Sequence, residues 1–263
     1  MDERLVVWIG GGPGAGKTTV ARRLARRFGL RWYNGDAQTW VHRDRAIRSG
    51  NVAAQRFEEF TPAQRWKRPL PELMAMALHD ERGPMIAADV AALSPGPPVV
   101  AEGTPIVPSM TGDWANAVWI VTPPPVRRRR LEQRGVEGAM LNLYLALADT
   151  VDATVAEADA PVIVNDDDST IDGLIAAVAE RFAHVLPFGA TDRTQRAELL
   201  RTSNQAIVDQ VRGFFARPWA VGNAETQRAT LDCECGGAEC LDTVDVVIGE
   251  LSDVPLISDD HGV

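Results

Sequence analysis

Eight consecutive residues, Gly11-Gly12-Pro13-Gly14-Ala15-Gly16-Lys17-Thr18, constrain this chain more than any other stretch. They satisfy the pattern G-x-x-x-x-G-K-[ST] at every defined position. Leu5 to Ile9 before them is a short apolar run that reads as a buried strand. Val20, Ala21, Leu24, Ala25 and Phe28 after them recur at helical spacing with arginines between. Strand, glycine loop and helix form the context in which such a loop binds phosphate: the glycines let successive backbone N–H groups face one anion, and the helix N-terminus adds its partial positive charge. Gly11, Gly12, Pro13, Gly14, Ala15, Gly16, Lys17, Thr18 and Thr19 are therefore expected to cradle a nucleoside triphosphate. Lys17 would reach the β- and γ-phosphates, and Thr18 would ligate Mg²⁺.

The rest of the first 188 residues repeats the strand-helix alternation. Leu30 to Tyr33 reads as a second strand closed by Asn34-Gly35-Asp36. Asp36 should stand near the phosphate loop, because ligands collect at the carboxyl ends of strands in open α/β sheets. A carboxylate there can take the proton of an attacking hydroxyl or hold Mg²⁺ through water; the competing role is to cap a helix beginning at Ala37. Gln38 to Ala92 is helical in tendency, with breaks expected at Gly50, Pro62, Pro69, Pro71 and Gly83. It carries His42, Arg43, Arg45, Arg56, Phe57, Arg65, Trp66 and Lys67, and it is where substrate specificity is expected; His42 and His79 have no metal-like spacing. Pro97 to Ala101 reads as a third strand followed by Glu102, which stands where a Walker B strand would end in Asp and is the candidate second Mg²⁺ residue.

A fourth strand, Ala117 to Val121, leads into Arg127, Arg128, Arg129, Arg130 and Arg134. Spacing of three and four puts Arg127, Arg130 and Arg134 on one helix face, from which guanidinium groups can neutralise a transferring phosphoryl group. A helix from about Met140 to Ala158, a fifth strand from Pro161 to Asn165 and a helix from Ile171 to Phe182 complete the pattern, with the Asn165 loop expected beside the adenine. Five short apolar strands alternating with helices imply an α/β fold on a parallel sheet with right-handed crossovers.

These features together resemble the nucleoside-monophosphate-kinase-like group of P-loop kinases, to which shikimate kinase, gluconate kinase and chloramphenicol phosphotransferase belong. The likeness runs from about Leu5 to Phe182. It rests on the glycine loop, the Gly-Asp after the second strand, the Ala-Glu-Gly after the third and the arginine-bearing lid after the fourth. The resemblance implies a P-loop NTPase three-layer fold with a five-stranded sheet in the order 2-3-1-4-5, ATP with Mg²⁺, and phosphoryl transfer to a hydroxyl of a small molecule, a metabolite or an antibiotic. It puts Asp36 opposite the acceptor hydroxyl. Lys17, Asp36, Arg130 and Arg134 are the expected catalytic residues. Two alternatives stand beside this: a nucleoside monophosphate kinase, and a non-catalytic ATP-sensing regulator.

Residues 189–263 change character and are read as a small α+β module. A long helix from Asp192 to Phe215 is followed by Cys233-Glu234-Cys235-Gly236-Gly237-Ala238-Glu239-Cys240 and a strand from Thr243 to Ile248. Three cysteines at C-x-C-x₄-C spacing suit zinc, with His261 as the candidate fourth ligand. The module is also where a protein partner could engage.

From Ala229 to Val263 the nine acids meet no Lys or Arg, so the tail carries the whole net charge of −9 and the remainder is near neutral. No basic face for nucleic acid is expected. Of the 27 basic residues all but Lys17 and Lys67 are arginine. No apolar run approaches the roughly 20 residues of a membrane span and no signal peptide is evident, so a cytoplasmic location without membrane contact is the expectation.

Overall fold

The computed structural model describes residues 5–112 and 114–259. Its elements in chain order are β1 (Val6–Gly10), α1 (Lys17–Phe28), β2 (Arg31–Asn34), α2 (Thr39–Arg48), α3 (Val52–Glu59), α4 (Pro62–Arg65), α5 (Leu70–Ala77), α6 (His79–Ala92), β3 (Val99–Glu102), α7 (Pro108–Thr111), β4 (Ala117–Val121), α8 (Pro124–Gln133), α9 (Gly138–Glu157), β5 (Val162–Val164), α10 (Ile171–Arg181), α11 (Arg193–Phe215), β6 (Arg228–Asp232) and β7 (Thr243–Val247). Strands β1 to β5 form one parallel sheet in the order β2-β3-β1-β4-β5, the order the resemblance implied.

The sheet is covered on both faces at its centre, which is why β1, β3 and β4 are largely continuous apolar runs instead of alternating ones. On one face Val7, Ile9, Val100, Val118 and Ile120 pack against Val20 and Leu24 of α1 and Leu174, Ile175 and Val178 of α10. On the other, Val99 and Ala101 meet Ile86 and Val90 of α6, and Ala117 and Trp119 meet Val151 and Val155 of α9. Parallel register sets Ile9 and Asn34 level with Glu102, so the carboxyl ends of three strands open at one height. Gly11 is required there: at φ +131° its backbone lies so close to β4 that a Cβ would come within 2.2 Å of the Ile120 carbonyl oxygen.

Two expected helix breaks do not occur. Pro71 lies in the first turn of α5, where its missing N–H costs nothing, and α6 runs through Gly83 and Pro84. The chain breaks instead at Leu78, which sits at φ 55°. Gly83 is a contact residue, since a Cβ there would stand 3.0 Å from the Pro105 carbonyl oxygen. Asp36 caps no helix: α2 begins at Thr39, and the turn before it is held by Asn34 Oδ1, which accepts from the Asp36 and Ala37 N–H groups at 2.9 and 3.2 Å.

The C-terminal residues dock on the sheet unit. Helix α11 packs beside β2 and α2, and the expected strand at Thr243, β7, pairs antiparallel with β6, which the sequence reading lacked. Between α11 and this pair a small core forms from Val208, Ala229, Leu231 and Ile248. The acids of the tail are partly spent on this docking. Asp232 is 1% exposed and binds Arg22 and Arg26 of α1, while Glu234 binds Arg201 and accepts from Asn204 at 3.0 Å. Arg196 of α11 donates to the Arg26 carbonyl oxygen and, at 3.0 Å, to that of Gly236. Among the described residues no helix is long and apolar enough to cross a membrane.

Removing one partner of a buried ion pair strands the other charge, so Asp232→Asn should cost about 3 kcal/mol, read from denaturant midpoints. Asp245→Asn, on an exposed strand position, should cost under about 0.5 kcal/mol by the same measurement. Equal effects would mean that the Asp232 contacts hold nothing together.

Candidate functional site

The glycine loop leads directly into α1, whose first residue is Lys17, so that α1's N-terminus and the loop N–H groups converge on one point. Lys17 is buried, and its Nζ donates to the Gly12 carbonyl oxygen at 3.0 Å and to Thr104 Oγ1 at 3.3 Å. Burial lowers its pKa, with Glu102 pulling the other way. Thr18 Oγ1 donates to both Glu102 carboxylate oxygens at 3.2 Å. Thus the two residues expected to hold Mg²⁺, one from α1 and one from β3, stand in direct contact. Glu102 is fully buried, and burial together with the Asp36 carboxylate pushes its pKa up to about 8.

A cavity of about 690 Å³ opens in front of Lys17 and Thr18. Asp36 stands on its rim with its carboxylate 3.9 Å from Arg82 of α6 and half exposed. The expected arginines divide. Arg134 lines the cavity. Arg130 instead turns to the loop after β5, where it donates to Asn165 Oδ1 at 3.1 Å and to the Asp166 carbonyl oxygen at 2.8 Å. Asn165 in turn donates to the Ala15 carbonyl oxygen at 2.8 Å, which ties this loop to the phosphate loop. Arg127 is fully buried and bound to Asp149 and Asp152 of α9, so helical spacing placed it on a phosphate-facing surface that it does not occupy.

The far wall comes from segments that sequence spacing does not connect. Helices α2 to α6 supply Trp40, Arg43, Phe57, Arg65, Trp66 and Arg82; α9 supplies Leu143, Tyr144 and Leu147. The C-terminal segment supplies Gln210, Phe214 and Trp219. Arg43, Phe57, Arg65 and Trp66 lie in the region where specificity was expected. Thr104, Arg82, Tyr144, Gln210 and Trp219 carried no sequence signal beyond their residue type. His42 is a buried structural group bonded to Asp89 at 2.9 Å.

Near the docked tail, the sulfur atoms of Cys233, Cys235 and Cys240 lie within 4.8 Å of one another. Burial, with the other two thiols alongside, pushes the Cys240 thiol up to about 12, a penalty that a bound cation would remove. His261 lies outside the described residues.

A glycine loop on the central strand of a 2-3-1-4-5 parallel sheet defines a P-loop nucleotide-binding protein. The family described as an AAA domain matches residues 7–141, more than half of the chain, and the chain belongs to that family. No curated protein matches the sequence. Among solved structures it is similar to a sugar kinase from Janibacter sp. HTCC2649, with 21% identity over 72% of this chain and 100% of that one and a TM-score of 0.41. It is also similar to shikimate kinase from Bacteroides thetaiotaomicron, with 16% identity, 68% and 98% coverage and a TM-score of 0.39. A gluconokinase from Sinorhizobium meliloti 1021 shares 17% identity over 70% of this chain and 93% of its own, with a TM-score of 0.41.

The raised pKa of Glu102 has a definite sign in metal-free protein. Between the ordinary value of 4.5 and about 8 the folded chain keeps a proton that the unfolded chain has released, so this residue's contribution is present below pH 4.5 and lost as pH rises towards 8. Denaturant stability of the wild type, measured with chelator from pH 5 to pH 8, should therefore fall relative to that of Glu102→Gln. Parallel profiles would mean that Glu102 is ionised throughout.

Proposed function

We propose that this protein is an ATP- and Mg²⁺-dependent phosphotransferase acting on a hydroxyl of a small molecule. The observation that carries the reading is that Lys17, Thr18 backed by Glu102, Asp36 and Arg134 reach one cavity, with the phosphate loop at one end and a substrate-sized space at the other. Asp36 is the one carboxylate among the cavity's described lining residues. It accepts the proton of the acceptor hydroxyl as that oxygen bonds to the γ-phosphorus and the bond to the ADP oxygen breaks. Lys17 leaves its Gly12 and Thr104 contacts for the β- and γ-phosphate oxygens, and Arg134 brings a second positive charge to the transferring group. Thr18 Oγ1 and the Glu102 carboxylate are the groups that would hold Mg²⁺, which when bound neutralises charge on the phosphate oxygens. Arg130 orders the Asn165 loop at the base end of the nucleotide and acts on the chemistry through that placement.

Lys17→Ala should abolish acceptor-dependent ATP turnover while the fold persists. Asp36→Asn should lower transfer by about a hundredfold or more with nucleotide affinity little changed, as expected when a general base is removed. Steady-state turnover and nucleotide titration measure both; near-normal turnover in Lys17→Ala would sink the kinase reading.

The cysteine cluster is proposed as a structural zinc site. Three thiolates at this separation match tetrahedral coordination with sulfur at about 2.3 Å, and His261 is the proposed fourth ligand. Protein purified without a histidine tag should carry about one zinc per chain, lost in Cys235→Ser and weakened in His261→Ala. A metal-free preparation whose melting temperature ignores chelator would rule it out.

A further inference from the structure

Beyond the phosphate loop, the charges of the cavity do not balance. Arg43, Arg65 and Arg82 line its acceptor half and are 4%, 3% and 8% exposed, and Asp36 is the one acid among the described lining residues. Glu58, whose charge also acts on Arg43 and Arg65, is shared with other partners: it accepts from Trp219 Nε1 at 2.8 Å and pairs with Arg217 at 3.4 Å. Arg217 is further matched by Asp44 at 2.6 Å. The Nε and Nη1 of Arg43 and the Nε of Arg65 have no hydrogen-bond partner among the described residues. Both guanidinium groups stand 3.5 Å over the centroid of Phe57, so two like charges share one ring, and Arg65 lies 4.3 Å over Trp219 as well. Burial beside neighbouring cations drops the Arg43 pKa to about 9, and burial drops that of Arg65 to about 10. Holding these cations in the ligand-free chain is costly, and an anion delivered into the cavity offsets that cost.

Much of the remaining wall is apolar and aromatic, with Thr39, His79, Thr104 and Gln210 as neutral polar residues among it. Trp66, Leu143 and Tyr144 form one side. The other is formed by Trp40, Phe214 and Trp219, with ring centroids 5.4 to 5.9 Å apart. Gln210 is the one side-chain amide among the described lining residues.

From this arrangement we infer that the acceptor is a small molecule with an apolar, ring-bearing body and one anionic group. The anion is received by Arg65 and Arg43, and the ring is held by an aromatic box that the C-terminal segment completes through Phe214 and Trp219. The inference rests on the phosphotransferase reading of the same cavity. Arg217 is the positioning residue: bound to Asp44 of α2 and Glu58 of α3, it fixes the segment that carries Trp219 against the insert helices.

Calorimetry on the full chain, with ADP and Mg²⁺ saturating the phosphate loop, tests this with four probes. 3-Phenyllactate carries ring, hydroxyl and carboxylate; 3-phenylpropane-1,2-diol lacks the anion; glycerate lacks the ring; 2-hydroxy-3-phenylpropyl phosphate replaces carboxylate by phosphate. Phenyllactate or the phosphate ester should bind about tenfold or more tighter than both diol and glycerate, as a charge-assisted hydrogen bond implies, and whichever of the two wins identifies the anion. Arg65→Gln should remove the advantage over the diol, and Trp219→Leu the advantage over glycerate. Should Arg65→Gln fail to fold, the wild-type ranking and Trp219→Leu decide alone. A diol or glycerate that binds as tightly as the ring-bearing anions, or no binding by any probe, overturns the inference. If Lys17-dependent ATP turnover holds while the ranking fails, only the acceptor class is wrong; if that turnover is absent, the phosphotransferase reading falls first.

Discussion

The functional end of this molecule depends on keeping two ionisable groups, Lys17 and Glu102, out of water, each hydrogen-bonded to neighbours of its own. Either alone would be expensive to bury. Together, with Thr18 bonded to the carboxylate and Thr104 and the Gly12 carbonyl oxygen bonded to the ammonium, they form a preorganised polar floor. Its geometry follows from strand register: β3 lies beside β1 so that Glu102 is level with Ile9, one residue before the chain leaves the strand for the glycine loop. The loop can turn there because Gly11 tolerates a positive φ and approaches β4 closely. Sheet order and electrostatics are therefore a single constraint.

Helix α1 serves two surfaces. Its apolar face, Val20, Ala21 and Leu24, completes the sheet core, while Arg22 and Arg26 face the C-terminal segment and are matched by Asp232. Arg26 also donates to the Cys240 carbonyl oxygen at 2.7 Å, so the cysteine cluster is braced against the helix that carries Lys17 and Thr18 at its other end. The acidic tail and the arginine abundance, each bland as composition, become complementary once α11 lies beside β2. The same docking carries Phe214 and Trp219 over the insert helices, where Arg217 fixes them to Asp44 and Glu58.

Local chemistry made the phosphate loop, its strand and helix, and the succession of five strands legible, because each rests on residues adjacent in the chain. Glu102 was legible as a departure from an expected Asp at a strand end. The arginine helix was only partly so. Spacing of three and four groups Arg127, Arg130 and Arg134 on one face, yet α9 captures the first with Asp149 and Asp152, and the Asn165 loop captures the second. Periodicity reports which residues share a face; it does not report what that face meets. Gly83 misled in a similar way, since it permits close contact with Pro105 inside a continuous helix.

The sequence by itself determined the nucleotide end of this protein: the glycine loop, the buried strands and the acids at their carboxyl ends are set by covalent neighbours and short-range backbone preferences. Tertiary structure decided the far wall of the cavity. Arg43, Arg65, Arg82, Tyr144, Phe214 and Trp219 come from five separate helices and a loop spread over more than half the chain, and only packing brings them to one cavity. A site assembled across such distances leaves no periodic trace, because no local hydrogen-bond pattern or hydrophobic repeat relates its parts.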